Sequence, residues 1–181
     1  MKAIKTALPE NSILYHNRQQ YDFVDSFEGA LKDDTHQFTA VDVAKAFFSS
    51  SPKWIEKLFS FRNKLVAVFG LKTSGKITDR AQQLKNFKCE KGESLGLFIV
   101  FDKTDNEVVL GEDDKHLNFR VSLHLSGAGS PLQKRTLTIS TTVKFNNWFG
   151  RLYFMPVRPF HALIVPTMLK AIIKELEKKH R

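Results

Sequence analysis

The chain has 181 residues, 42% of them hydrophobic, which suits one globular domain and is too short for two of ordinary size. A single cysteine, Cys89, excludes a disulfide framework and a thiolate metal cluster. The net charge of +9 is uneven: 5 basic against 7 acidic residues in 1–50, 11 against 7 in 51–110, and 12 against 5 in 111–181.

A basic C-terminal half attracts acidic ligands, nucleic acid or anionic lipid, or is only the solvated face of a helix. Lys170, Lys174, Lys178, Lys179 and Arg181 favour the second reading, since cations complement the dipole of a helix end. Phenylalanine is plentiful, 16 against 3 Tyr and 2 Trp. Phe brings apolar area without a polar handle, which predicts a large dry interior. Met1–Lys5 leads into polar sequence with no apolar signal core, and no stretch reaches the about 20 apolar residues of a membrane span. The expectation is a cytoplasmic protein without membrane insertion.

Residues 1–20 read as an irregular N-terminal segment of one domain spanning 1–181. Tyr21 to Phe27 alternates as a short strand, with Tyr21, Phe23 and Phe27 inward. Thr39 caps a first helix, with Asp42 completing a capping box and Val43, Ala44, Phe47 and Phe48 on one face. Ser51 and Pro52 open a second helix that carries Trp54, Ile55, Leu58, Phe59, Leu65 and Phe69 at helical spacing and ends at Gly70. Residues 72–94 read as a polar connection with little structure.

Strands follow. Leu95 to Phe101 is nearly all apolar, as in a strand buried on both sides, and Glu107 to Glu112 returns beside it through a turn at 103–106. Leu117, Phe119, Val121, Leu123 and Leu125 face one way, and His116, Asn118, Arg120, Ser122 and His124 the other. After a loop at 126–132, a strand from Arg135 to Phe145 turns Leu137, Ile139, Thr141, Val143 and Phe145 inward. The last helix carries Phe160, Leu163, Ile164, Leu169, Ile172, Ile173 and Leu176 as its apolar stripe. An interior proline removes a backbone bond, so Pro156, Pro159 and Pro166 predict that regular helix begins near Pro159. Strand, two helices, a strand meander and a long helix form an α+β helix-grip arrangement, a curved antiparallel sheet wrapped around the C-terminal helix, with room for a pocket between them.

Candidate chemistry is sparse. Gly70, Gly75 and Lys76 have phosphate-loop spacing, but Ile77 stands where such a loop needs Ser or Thr for magnesium. Glu112, Asp114 and His116 share one strand face and could converge on a metal or form a charged turn. His116 and His124 lie too far apart on one strand to share an ion. Cys89 between Lys88 and Lys91 could be activated by the cations, though no partner base accompanies it. His161 is a structural histidine or a base. The aromatics follow apolar stripes rather than the basic residues, so nucleic-acid binding is not expected. No metal and no cofactor is expected.

Three segments carry a resemblance: Phe69-Gly70-Leu71-Lys72-Thr73, Glu112 to Val121, and Gly150-Arg151-Leu152-Tyr153 with Pro159-Phe160-His161. Over roughly Leu8 to Leu169 the chain resembles the bacterial domain-of-unknown-function family 2867, placed with the START-like, birch-pollen-allergen-like (SRPBCC) superfamily. The resemblance implies a helix-grip fold with an internal pocket for lipid, polyketide-like or other apolar molecules. It also implies a nucleotide-binding reductase domain as a partner of some relatives. Asn118 stands where the family pattern suggests Asp.

The expected function is binding of an apolar small molecule, with or without an anionic group, between sheet and C-terminal helix. Cofactor-free cyclase or hydrolase chemistry and a partner-binding basic surface are the alternatives. Phe59, Leu97, Phe119, Val121, Ile139, Val143, Phe160 and Ile164 are the expected walls. Arg62, Arg120, His116 and Tyr153 are the expected polar contacts, because an arginine at the mouth of an apolar pocket anchors a carboxylate or phosphate.

Overall fold

The computed structural model of the protein describes residues 2–33, 37–55, 80–126 and 135–179. Seven strands are formed: β1 (Ile4–Thr6), β2 (Phe23–Ala30), β3 (Ser94–Leu95), β4 (Phe98–Lys103), β5 (Glu107–Asp113), β6 (Leu117–Ser126) and β7 (Thr136–Phe145). They pair antiparallel in the order β1-β2-β7-β6-β5-β4-β3, one curved sheet wrapped on a long C-terminal helix, Trp148–Lys179, and a first helix, Ala40–Ser49. This is the helix-grip arrangement.

The first helix starts where its cap dictates. Thr39 Oγ1 accepts from the Asp42 amide at 3.2 Å, and Asp42 Oδ2 accepts from the Thr39 amide at 2.9 Å. Val43, Ala44 and Phe48 are buried against the sheet. Beyond it only residues 53–55 of the expected second helix are described. They are helical, with Ile55 buried and Trp54 exposed. Arg62, Phe59, the other apolar positions of that helix and the phosphate-loop-like spacing lie outside the described residues.

Three stretches differ from expectation. Residues 1–20 are not irregular: β1 pairs with β2, and a 3-10 helix spans Ile13–Gln20. The polar connection contains a helix, Arg80–Asn86, followed by buried Phe87 and Cys89. The apolar run from Leu95 is broken by a turn at Gly96, whose φ of 64° is left-handed, so β3 and β4 are separate strands.

The largest difference is at the C-terminus. Helix runs unbroken through Pro156, Pro159 and Pro166 from Trp148. Each proline frees the carbonyl four residues earlier, on Leu152, Met155 and Ala162, and all three are exposed residues. The start is fixed by neighbours. Asn147 Oδ1 accepts from the Gly150 amide at 3.1 Å, as an N-cap does, and its Nδ2 donates to the Lys115 carbonyl at 3.0 Å. The Asn146 amide donates to the His116 carbonyl at 2.8 Å. Its side chain donates to Asn118 Oδ1 at 2.8 Å, so Asn118 is part of this staple. A Cβ on Gly150 would stand 2.1 Å from the His116 carbonyl oxygen, which only glycine avoids.

Both sheet faces are covered. The inner face (Phe27, Leu110, Val121, Leu123, Leu125, Leu137, Ile139) meets the first and C-terminal helices, where Leu169, Ile172, Ile173 and Leu176 are almost wholly buried. The outer face receives the N-terminal segment. Glu107, 1% exposed, accepts from Ser12 Oγ at 2.6 Å, from the Ile13 amide at 2.7 Å and from Ser122 Oγ.

Asp33 and Arg135 form a buried charged pair, with side chains 2% and 4% exposed. Asp33 also accepts from the backbone amides of Gln37 at 2.9 Å and Phe38 at 3.2 Å. Removing one partner of a buried pair leaves the other charge uncompensated, which costs about 3–5 kcal/mol. Arg135→Met is expected to lower unfolding stability by that amount in urea titration, and Asp33→Asn in the same chain to recover most of it. A single variant within 1 kcal/mol of the parent, on the scale of an exposed pair, would place this pair in solvent.

Candidate functional site

A cavity of about 190 Å³ lies between the inner sheet face and the first half of the C-terminal helix. Its floor is the alternating set of β6 and β7: Phe119 and Val121, then Ile139, Thr141 and Val143. The register makes these a continuous surface, since Phe119 stands opposite Val143 and Val121 opposite Thr141. Its roof is Tyr153, Phe154, Val157, His161, Ile164, Val165 and Met168, which recur every three or four residues along the helix. Phe47 of the first helix closes one side, together with Leu97 and Phe98 at the β3–β4 turn. Here much of the phenylalanine is spent: Phe98 lies edge-on to Phe47 at 5.3 Å and to Phe119 at 5.8 Å between ring centroids.

Of the expected walls, Leu97, Phe119, Val121, Ile139, Val143 and Ile164 line this cavity, and Tyr153 does so among the expected polar contacts. Phe160 does not. It is 53% exposed, because the helix lays Val157, His161, Ile164 and Met168 on the sheet side, which leaves position 160 facing outward. Arg120 is on the outer face, where the even-numbered residues of β6 point. Its guanidinium lies 3.4 Å from the centroid of the Phe101 ring and 2.8 Å from Asp113, and Nη1 donates to the backbone carbonyls of Phe119 at 2.9 Å and Glu112 at 3.3 Å. Gly111, opposite it, leaves room for the side chain to cross. His116 sits at the β5–β6 turn, its Nδ1 3.1 Å from Asn147 Nδ2 and its ring 4.7 Å from that of Phe149. Neither residue reaches the cavity.

No group of three His, Cys, Asp or Glu side chains that could hold a metal ion occurs among the described residues. Cys89 is fully buried, and burial pushes its thiol up to about 12, far from thiolate reactivity.

The polar groups that matter were legible only in part. Asp25 falls between Phe23 and Phe27 on the inward face of β2 and is 5% exposed. Its Oδ2 lies 3.6 Å from His161 Nδ1, and Lys5 Nζ approaches Oδ1 to 3.1 Å from the sheet edge. Asp25 stands directly opposite Thr141 in the β2–β7 register. The signal was a charge at an apolar position of the alternation, which a reading of Tyr21, Phe23 and Phe27 passed over.

Burial lowers the pKa of His161 below its ordinary 6.5, against the opposing pull of Asp25. His124 behaves alike on the outer face, where burial outweighs the attraction of Glu107. Between the lowered value and 6.5 the unfolded chain binds protons that the fold refuses. Stability therefore rises with pH through that window and is lost as pH falls below it. The charged groups around His161 are Asp25 from β2, Lys5 from β1 and Arg158 on its own helix, the last beside Phe23. Urea midpoints are expected to drop from pH 7 to pH 5. His161→Leu should flatten that slope by up to one proton, about 1.4 kcal/mol per pH unit. An unchanged slope would mean that His161 titrates alike in the folded and unfolded chain.

A family model described as "Protein of unknown function (DUF2867)" matches residues 18–168. No curated protein and no solved structure matches the chain. Among the described residues, no helix is long and apolar enough to cross a membrane.

Proposed function

Because the chain belongs to the DUF2867 family of proteins of unknown function, its role has to be argued from its site, and we propose a START-like binding protein that holds one small apolar molecule between sheet and C-terminal helix. The carrying observation is the cavity itself. Protein interiors are close-packed, with few voids larger than a water molecule. A volume of about 190 Å³ walled almost wholly by Phe, Val, Ile, Leu and Met departs from that rule. Were it closed and empty it would cost up to about 4–5 kcal/mol at ~24 cal/mol per Å³, a large part of an ordinary folding free energy. Water gains little there, because a buried water needs two to four polar partners.

Size narrows the ligand. Cavities of about 150 Å³ lined by Leu, Ile and Phe hold benzene. A space of about 190 Å³ therefore suits one ring with one or two substituents rather than a long acyl chain or a fused polyketide. Such binding buries apolar surface and carries a negative heat-capacity change.

Native mass spectrometry of the gently purified protein should show a retained mass of one small hydrophobic molecule per chain or, after extraction, saturable calorimetric uptake of toluene or ethylbenzene. Val121→Phe fills the floor of the cavity and should abolish that uptake with a stability change within about 3 kcal/mol. Absence of any uptake by the parent chain, or equal uptake by Val121→Phe, would sink the proposal.

A further inference from the structure

Besides Tyr153, the polar residues in the wall of the cavity are Thr141 and His161, and Asp25, not itself in the wall, adjoins both. Buried polar atoms are normally hydrogen-bonded, and one left without a partner costs about 1–3 kcal/mol. Thr141 Oγ1 is buried without any partner, while Asp25 Oδ1 and His161 Nδ1, also buried and without a regular hydrogen bond, have only ionic neighbours, Lys5 Nζ at 3.1 Å and Asp25 Oδ2 at 3.6 Å. They are three of the six such side-chain atoms among the described residues, gathered on neighbouring residues at one site. The buried carboxylates elsewhere contrast with this: Glu107 and Asp33 each take hydrogen bonds on both oxygens.

We infer that this patch is a hydrogen-bonding subsite and that the cavity takes a compact neutral ring bearing a hydroxyl, a phenol or cyclic alcohol, in preference to a plain hydrocarbon. The inference rests on the binding function proposed above. Its chemistry follows from charge and from donor count. Lys5 lies against Asp25 from the sheet edge, so the carboxylate is already balanced and calls for no cation. The balanced pair likewise offers no net positive charge to an anionic ligand. An imidazole whose Nδ1 faces a carboxylate carries its proton on that side, which leaves Nε2 as an acceptor. Burial keeps His161 neutral, in keeping with that role. Thr141 offers a hydroxyl that can donate. A ligand hydroxyl matches both, donating to His161 and accepting from Thr141. A carbonyl would serve Thr141 alone, and a hydrocarbon neither.

The test uses phenol and toluene, which have nearly one shape and differ by a hydroxyl. They are titrated by calorimetry at pH 7.5 into the parent chain, His161→Leu and Thr141→Val. The parent is expected to bind phenol at least 10-fold more tightly than toluene, although toluene is the more hydrophobic. Each variant is expected to lose that preference while still binding toluene. Thr141→Val keeps the volume and removes an unpartnered hydroxyl, so it gives the answer even if His161→Leu fails to fold. Toluene bound as tightly as phenol by the parent, or a phenol preference that survives in the variants, overturns the subsite and leaves the cavity reading standing. Failure of both probes to bind the parent overturns the cavity reading with it.

Discussion

The close contact between Gly150 and the His116 carbonyl sets the course of the C-terminal helix, and the cavity depends on that course. Asn146 and Asn147 hold the helix start on the β5–β6 turn with four hydrogen bonds to Asp114, Lys115, His116 and Asn118. At the other end Leu169, Ile172, Ile173 and Leu176 are locked into the core. Between two fixed ends the helix must span the sheet at a set height. The side chains it lowers there, Val157, His161 and Ile164, do not reach the floor formed by Val121, Thr141 and Val143. Any side chain at position 150 would lift the helix start, so the glycine acts on the cavity from its far edge.

The prolines fit the same geometry. In the middle of an isolated helix each would cost about 3 kcal/mol. Here Pro156 and Pro159 lie on the exposed side of a segment anchored at both ends. Long helices curve convex toward solvent because the outer carbonyls tilt toward water. Removing amides on that side concedes bonds that curvature already weakens. The outer stripe also leaves Trp148, Leu152, Met155, Phe160 and Leu163 exposed.

Most of the architecture is legible in the sequence, because strands β5, β6 and β7 and the first helix are written in simple periods and a cap. The inward set Leu117 to Leu125 and the box at Thr39 and Asp42 appear where alternation and capping chemistry put them. What local rules miss is what tertiary contacts decide. Proline arithmetic starts the last helix too late, since it cannot see the staple to a turn some thirty residues earlier. Apolarity alone also misplaces the inward face, which runs through Val157, His161, Ile164 and Met168 and leaves Phe160 and Leu163 outside. An apolar run hides the turn at Gly96, because periodicity is silent where every residue is apolar. Arg120 invites assignment to a pocket mouth, but the pleat sends it to the other face, where Phe101 and Asp113 receive it. Asp25 is the reverse case, a charge on an inward face that only the register with Thr141 and the helix above makes intelligible.

The two buried polar clusters of the sheet show how differently the same residue types can be used. On the outer face Glu107 is enclosed by Ser12, Ser122 and the Ile13 amide, and two of these three hold the N-terminal segment down. A carboxylate satisfied on both oxygens in this way is structural. On the inner face Thr141 is as deeply placed, but its hydroxyl has no partner and lines the cavity beside His161, with Asp25 next to both. A fold free to choose would put Val at 141 and Leu at 161, gaining apolar contacts and shedding unpartnered atoms. Keeping polar groups in a position that penalises the empty protein makes physical sense when another molecule completes their bonds.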